Sequence, residues 1–172
     1  MMQLSPKTFC DTFSSVNNSM PILTGMEFMR RPARLSDALQ HEYECVSRMA
    51  HVQKWDFDLY HFREFIQDPQ HAVVITNRQQ TIQWVNHGFA NMTGYQVQEA
   101  LGKKPSFLQG KETDPLTRSA IKACLLEEKK FEGKLINYRK DGEPYWCDVR
   151  IEPIFNEQQK LVNFIAFEEE IV

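Results

Sequence analysis

Gly102-Lys103-Lys104-Pro105-Ser106-Phe107-Leu108-Gln109-Gly110 is the stretch from which the rest of the chain can be read. Immediately before it, residues 96–101 form one turn of helix. Before that, Asn86 opens a short helix (89–92), and Thr93-Gly94-Tyr95 closes it, with glycine in the usual stop position. Further upstream, residues 72–76 form a short apolar strand, 77–80 a polar turn and 81–85 the partner strand. Downstream, Asp114 caps a longer helix with Pro115 in its first turn. That helix is expected to run to about Lys130, with Leu116, Ala120 and Cys124 on one face and Ile121 and Leu125 beside them. Residues 131–138 then lead through Lys140-Asp141-Gly142-Glu143, a strong hairpin signal, into a strand over 145–154. A last strand spans 161–168. Two strands, several short helices and three strands predict an α+β fold: a five-stranded antiparallel sheet with short helices on one face.

The length of 172 residues suits one domain plus an extension. Hydrophobic residues make up 42% and aromatic residues 12%, enough for a substantial core. The net charge of −3 is mild and both signs are interspersed, which excludes a basic face for nucleic acid. Cys10, Cys45, Cys124 and Cys147 include no Cys-x-x-Cys pair, so no zinc site is expected. Separate reduced thiols fit a cytoplasmic protein. Neither a signal pattern nor a membrane-length apolar run occurs, so a soluble chain without membrane contact is expected. With no Ser-His-Asp grouping, phosphate loop or paired carboxylates, the expectation is a non-enzyme.

Residues 1–33 are rich in Ser, Asn, Thr and Met with little periodicity, and an irregular segment is expected there, ordered in part by docking of Phe9, Phe13, Ile22 and Phe28. Residues 34–69 read as a helical extension. Leu35, Leu39, Val46, Met49 and Ala50 recur at helical spacing, with Asp37 placed to cap the start and Gln40 three residues on. A second run, Trp55, Leu59, Phe62 and Ile66, is widened by Phe57, Tyr60 and Phe65 and stopped by Pro69. So apolar a face needs a surface to cover. Strand parity supplies one: Ile136, Tyr138, Trp146, Ile165 and Phe167 point to the sheet face opposite the short helices. The extension is expected to cover that face, in its own chain or in a partner chain.

Trp84-Val85-Asn86, Thr93-Gly94-Tyr95, Leu101-Gly102, Phe107-Leu108-Gln109-Gly110 and Asn137-Tyr138-Arg139-Lys140-Asp141-Gly142 occur in order and at matching spacings. Residues 70–172 thereby resemble a PAS domain of the LOV branch, whose flavin-binding pattern is Gly-x-Asn-Cys-Arg-Phe-Leu-Gln-Gly. The resemblance implies a sensory fold in which amides hold the flavin ring and arginines its phosphate. Gln109 and Asn137 match ring-contacting positions. The remaining positions are substituted: Lys104 for the helix asparagine, Pro105 for the photoactive cysteine, Ser106 for the first phosphate arginine and Lys122 for the second. Cys147 replaces the second ring asparagine and Glu168 the last-strand glutamine. Proline cannot form a thiol adduct. Serine is neutral and lysine a point charge where arginine would fork two hydrogen bonds onto phosphate.

The resemblance therefore implies a stand-alone sensory module acting by protein contact or dimerisation, with a degenerate flavin pocket and no cysteinyl chemistry. No tightly held cofactor is expected, with FMN or another flavin as the alternative, working by photoreduction. A purely structural dimerisation domain is the other alternative. The expected partners are a second copy, through the N-terminal helices or the outer sheet face, and a signalling protein. Because the chain ends at Val172, its signal is expected to leave through those same surfaces. Parity places Cys147 and Glu168 on the side of Asn137, and an ion pair between Glu168 and Lys104 across the emptied site is weighed against two solvated side chains. Cys147 and Cys124 read as inert buried thiols rather than redox sensors. His41, His51, His61 and His71 recur every ten residues, which returns to no single helix face. His87 reads as a surface or capping residue, with haem ligation the alternative. Glu127-Glu128-Lys129-Lys130 reads as a solvated helix end, and Glu168-Glu169-Glu170 as leaving the pocket for a free acidic tail.

Overall fold

The computed structural model describes residues 36–171. The expected irregular segment 1–33, with Phe9, Cys10, Phe13, Ile22 and Phe28, lies outside the described residues, as does Leu35. The elements are α1 (Asp37–Gln53), β1 (Trp55–Asp56), α2 (Leu59–Phe65), β2 (Ala72–Asn77), β3 (Ile82–Val85), α3 (His87–Thr93) and α4 (Val97–Ala100). A 3₁₀ turn (Pro105–Leu108), α5 (Pro115–Leu126), β4 (Phe131–Tyr138), β5 (Pro144–Asn156) and β6 (Leu161–Ile171) follow. The strands form one antiparallel sheet: β5 pairs with β6, β6 with β2 and β2 with β3, while β4 pairs with β5 along residues 144–151 and β1 with its far end. The five expected strands are present, and the two-residue β1 makes a sixth.

Strand parity sorts the sheet into two apolar faces. Ala72, Val74, Val85, Leu135, Tyr145, Cys147 and Val149 pack with Phe89, Met92, Ala100 and Leu108 of the short helices. On the other face, Val73, Ile75, Ile154, Ile165 and Phe167 are buried under Val46, Trp55, Phe62 and Ile66 of the extension. The extension thus covers the sheet of its own chain. Trp55 Nε1 donates to the Oδ1 of buried Asn163 at 3.1 Å, and Asn163 Nδ2 donates to the Thr76 carbonyl at 3.0 Å and to Gln83 Oε1 at 2.8 Å. Glu42 of α1 accepts the His87 backbone N–H at 2.6 Å, so His87 opens α3 beside the cap; burial holds the Glu42 carboxyl above the usual carboxylate range.

Asn86 joins the sheet to the helices. Its Oδ1 accepts from Val73 N at 2.8 Å and caps α3 at Phe89 N (3.0 Å), while Nδ2 donates to the His71 carbonyl at 2.8 Å. The packing is close enough that a Cβ on Gly88 would lie 1.9 Å from the same carbonyl oxygen.

Several expectations change. Ser36, not Asp37, caps α1, its hydroxyl accepting from Leu39 N; Asp37 falls in the first turn. The run from Trp55 to Ile66 is not one helix. Lys54 turns into the left-handed region (φ 53°), Trp55 enters a strand, and α2 starts only after the Asp58 cap. Helix α5 ends at Leu126, and its inward stripe is Ile121, Cys124 and Leu125; Leu116, expected on the packed face, is 80% exposed. Tyr138 leaves the outer patch: its ring folds against Gly110 and its hydroxyl accepts from Glu112 N at 2.9 Å. Glu169 and Glu170 form no free tail, because β6 runs on to Ile171; Glu169 lies 3.7 Å from His71 and Glu170 2.5 Å from Arg139.

Phe62 has no exposed surface and is the centre of the cap's packing, edge-on to Trp84. Phe62→Ala should cost about 3–5 kcal/mol, as truncation of a fully buried aromatic does. Denaturant unfolding checks this, and a loss below about 1 kcal/mol would mean that the cap contributes little to the folded sheet.

Candidate functional site

Between the inner sheet face and the 3₁₀ turn and α5 lies a cavity of about 110 Å³, open to solvent on one side. The walls are mainly apolar: Val74, Leu135, Val149 and Ala166 from the strands, with Leu108, Ile121 and Leu125 opposite. Polar groups enter at few points. Asn137 comes from β4, Gln109 and Ser106 from the 3₁₀ turn and its end, and Thr76 and Gln80 from β2 and the turn after it. Gln80 reaches the wall because the turn holds it at φ 62°, with Asn77 Oδ1 accepting from both Gln79 N and Thr81 N at 2.9 Å. Glu168 of β6 is the lining residue that carries an ionisable acid.

Glu168 is buried, and Cys147 Sγ donates to its Oε2 at 3.8 Å, a long thiol contact. Burial in apolar surroundings disfavours the carboxylate and raises the Glu168 acid to about 7; the thiol contact opposes this only in part. The same burial pushes the Cys147 thiol well above its ordinary value, with the Glu168 charge adding to it. Tyr145 moves in the same direction for the same two reasons. A thiol held protonated is a poor nucleophile and a poor redox sensor.

Of the eight positions singled out from the sequence, Pro105, Ser106, Gln109, Asn137 and Glu168 line the cavity together. Cys147 is fully buried beside Glu168 on the same sheet face and does not line the cavity. Lys104 and Lys122 are exposed and stand outside the lining. The considered ion pair between Glu168 and Lys104 is therefore corrected. Lys104 is the extended residue preceding the 3₁₀ turn, which sends its side chain to solvent, while Glu168 stays beneath. Thr76, Gln80 and Phe164 also line the cavity and were missed. Parity along β2 and β6 places Thr76 and Phe164 on the inner face, but Gln80 depends on a left-handed turn residue that carries no glycine to mark it. Cys124, read as a buried thiol, is half-buried on α5. Among the described residues there is no cluster of His, Cys, Asp and Glu able to hold a metal.

The flavin nucleotide implied by the resemblance matches this lining in one part and not in another. Apolar walls with amides at Asn137 and Gln109 suit a planar heterocycle. No lysine, arginine or histidine lines the cavity to meet a phosphate, and the acid present there is Glu168. FMN as a whole does not fit the lining.

Glu168→Gln tests the buried acid. The folded-state value lies above the unfolded one, so the folded state retains a proton that the unfolded state has lost, and stability falls as pH rises through the folded value near 7. Glutamine occupies the same volume without the charge. The variant is expected to melt higher than wild type at about pH 8, by a free energy on the order of 3 kcal/mol, with the gain shrinking towards zero near pH 5. Thermal melts at the two pH values measure it; a variant less stable than wild type at the higher pH would restore a paired carboxylate.

Among the described residues, no helix is long and apolar enough to cross a membrane. Phototropin-1A of Oryza sativa subsp. japonica is 38% identical over 96 residues, 56% of this chain and 10% of the phototropin. A blue-light-activated histidine kinase of Brucella abortus is 34% identical over 108 residues, 61% of this chain and 22% of the kinase. The chain thus spans a small part of either relative. The light-state structure of the Aureochrome1 LOV domain aligns with a TM-score of 0.57 at 28% identity, over 58% of this chain and 80% of that one. The LOV domain of the Erythrobacter litoralis EL346 blue-light-activated histidine kinase aligns with a TM-score of 0.56 at 27% identity, over 58% and 94%. The PAS domain profile matches residues 70–172. With that match over more than half its length, and with LOV domains of blue-light receptors among its homologues, the chain belongs to the PAS domain family.

Proposed function

We propose that this chain is a LOV-related sensory module that responds to what occupies its cavity or to the protonation of Glu168, without forming a cysteinyl adduct, and that it signals by protein contact. One observation carries the reading: β6 faces the cavity and the cap with adjacent residues. Glu168 points inward, while Phe167 points outward against Phe65 (ring centroids 5.0 Å) and His61 (5.1 Å), and Glu169 approaches His71. A shift of β6 at Glu168 therefore displaces the surface on which α2 rests. That is a packed, two-sided element of the kind that couples a site to a distant surface.

Pro105 on the cavity wall supports the absence of adduct chemistry, since it offers no thiol where the family's reactive cysteine stands. Cys147 is held as the protonated thiol by its burial, and Cys124 belongs to α5 rather than to the 3₁₀ turn. The contact surface we assign to a second copy or a signalling protein is the part of the outer face that the cap leaves open, around the half-exposed Trp146.

Two measurements test the reading. With FMN or riboflavin added, wild type and the Cys124→Ala/Cys147→Ala double variant are expected to give the same absorbance record under blue light; a dark-reversible bleach confined to wild type would overturn the adduct-free reading. For the contact surface, Trp146→Glu is expected to abolish self-association of wild type in sedimentation velocity, and an unchanged sedimentation profile would remove Trp146 from the interface.

A further inference from the structure

The geometry points to a site for an uncharged planar heteroaromatic ligand that bears no phosphate, gripped along one edge by Asn137, Gln109 and Glu168. This deepens the sensory reading above and names the chemical class of its ligand. The walls on both sides are apolar, as stacking against a flat ring requires, and the polar side chains converge from separate elements: β4, the end of the 3₁₀ turn and β6. Amide side chains offer both a donor and an acceptor. A carboxylic acid that keeps its proton does the same, so the three groups can read a mixed donor–acceptor edge such as that of a pterin, a purine or an isoalloxazine.

The same lining disfavours a phosphate. A buried phosphate needs charge-assisted partners, and arginine or lysine ordinarily supplies them. Here the candidate cations stay outside. Lys104 and Lys122 are exposed, Lys103 lies over the rings of Tyr95 and Phe107 at 5.5 and 4.8 Å, and Arg139 is held by Glu170 and over the Tyr145 ring. An anion entering the cavity would instead approach Glu168. The titratable groups facing Glu168 are Cys147 and Tyr145 of β5, and burial keeps both neutral through the physiological range. Ionisation of Glu168 itself therefore governs how binding depends on pH. Raising the pH through about 7 removes its donor and adds a negative charge to the ligand's edge.

The test is made in the dark, so that its outcome is independent of any photochemistry. Riboflavin, lumichrome and FMN are titrated with the full chain, and quenching of flavin fluorescence is read. Riboflavin and lumichrome are expected to bind, and FMN to bind at least about tenfold more weakly, the loss expected from desolvating a phosphate that no cation of the lining pairs. Riboflavin affinity is expected to fall between about pH 6 and pH 8.5 in wild type and to stay level in Glu168→Gln, with thermal melts confirming that the variant is folded. Asn137→Ala should weaken riboflavin several-fold, and Lys122→Ala should leave all three titrations unchanged. FMN binding as tight as riboflavin, loss of FMN binding in Lys122→Ala, or failure of every probe to bind would overturn the assignment. The adduct and self-association measurements stand or fall separately.

Discussion

Every part of this molecule answers to one constraint: a sheet that is apolar on both faces must be covered twice. In β2, residues 72–75 are all buried, Ala72 and Val74 toward the short helices and Val73 and Ile75 toward the cap. Burying each of Val73, Val74 and Ile75 contributes about 1.5–3 kcal/mol, and exposing either face would forfeit such contributions from several strands at once. The inner cover is made of short helices and a 3₁₀ turn, which leave room between them. The outer cover is made of one long helix, a two-residue strand and one short helix, whose Val46, Phe62 and Ile66 are buried against the strands. The apolar cavity beside Asn137 and Glu168 is on the inner side, and the long cap is on the outer side.

Two buried amides and one buried acid are held in different ways. On the outer side, Asn163 is fully satisfied by Trp55, Thr76 and Gln83, and Asn86 by three backbone partners at the junction. Groups of this kind fix geometry, since removing one partner leaves a desolvated donor or acceptor. On the inner side, Glu168 has a weak thiol contact and otherwise faces the cavity. An acid so poorly compensated is a feature expected of functional sites rather than of structural cores.

Most of the fold was legible because local signals agreed with the long-range pattern. The Lys140-Asp141-Gly142 turn, the Asp114-Pro115 helix start and the alternation of Tyr145, Cys147, Val149 and Ile151 each survive in the structure. The cap was legible as apolar helix but not in its breaks, because Lys54 at positive φ is an uncommon left-handed stop and the pairing of Trp55 with Asn156 is a contact across a hundred residues. At the site, parity correctly brought Asn137 and Glu168 to one side. The resemblance put Lys104 and Lys122 at the helix-asparagine and second phosphate-arginine positions, and neither reaches the lining. Lys104 precedes the 3₁₀ turn in an extended conformation, and Lys122 lies off the Ile121–Leu125 stripe of α5. The sequence pattern also could not show that Glu168, left without a lysine, would respond to its burial by holding a proton.

The Trp55–Asn163 bond gives the protein a built-in optical gauge. Trp55 and Trp84 both sit in the seam between cap and sheet, with the Trp55 indole in a dry contact and Trp84 against Phe62, whereas Trp146 already meets solvent. Were the cap to lift, two of the three indoles would pass from hydrocarbon to water together. Intrinsic emission therefore registers the state of this seam without any label.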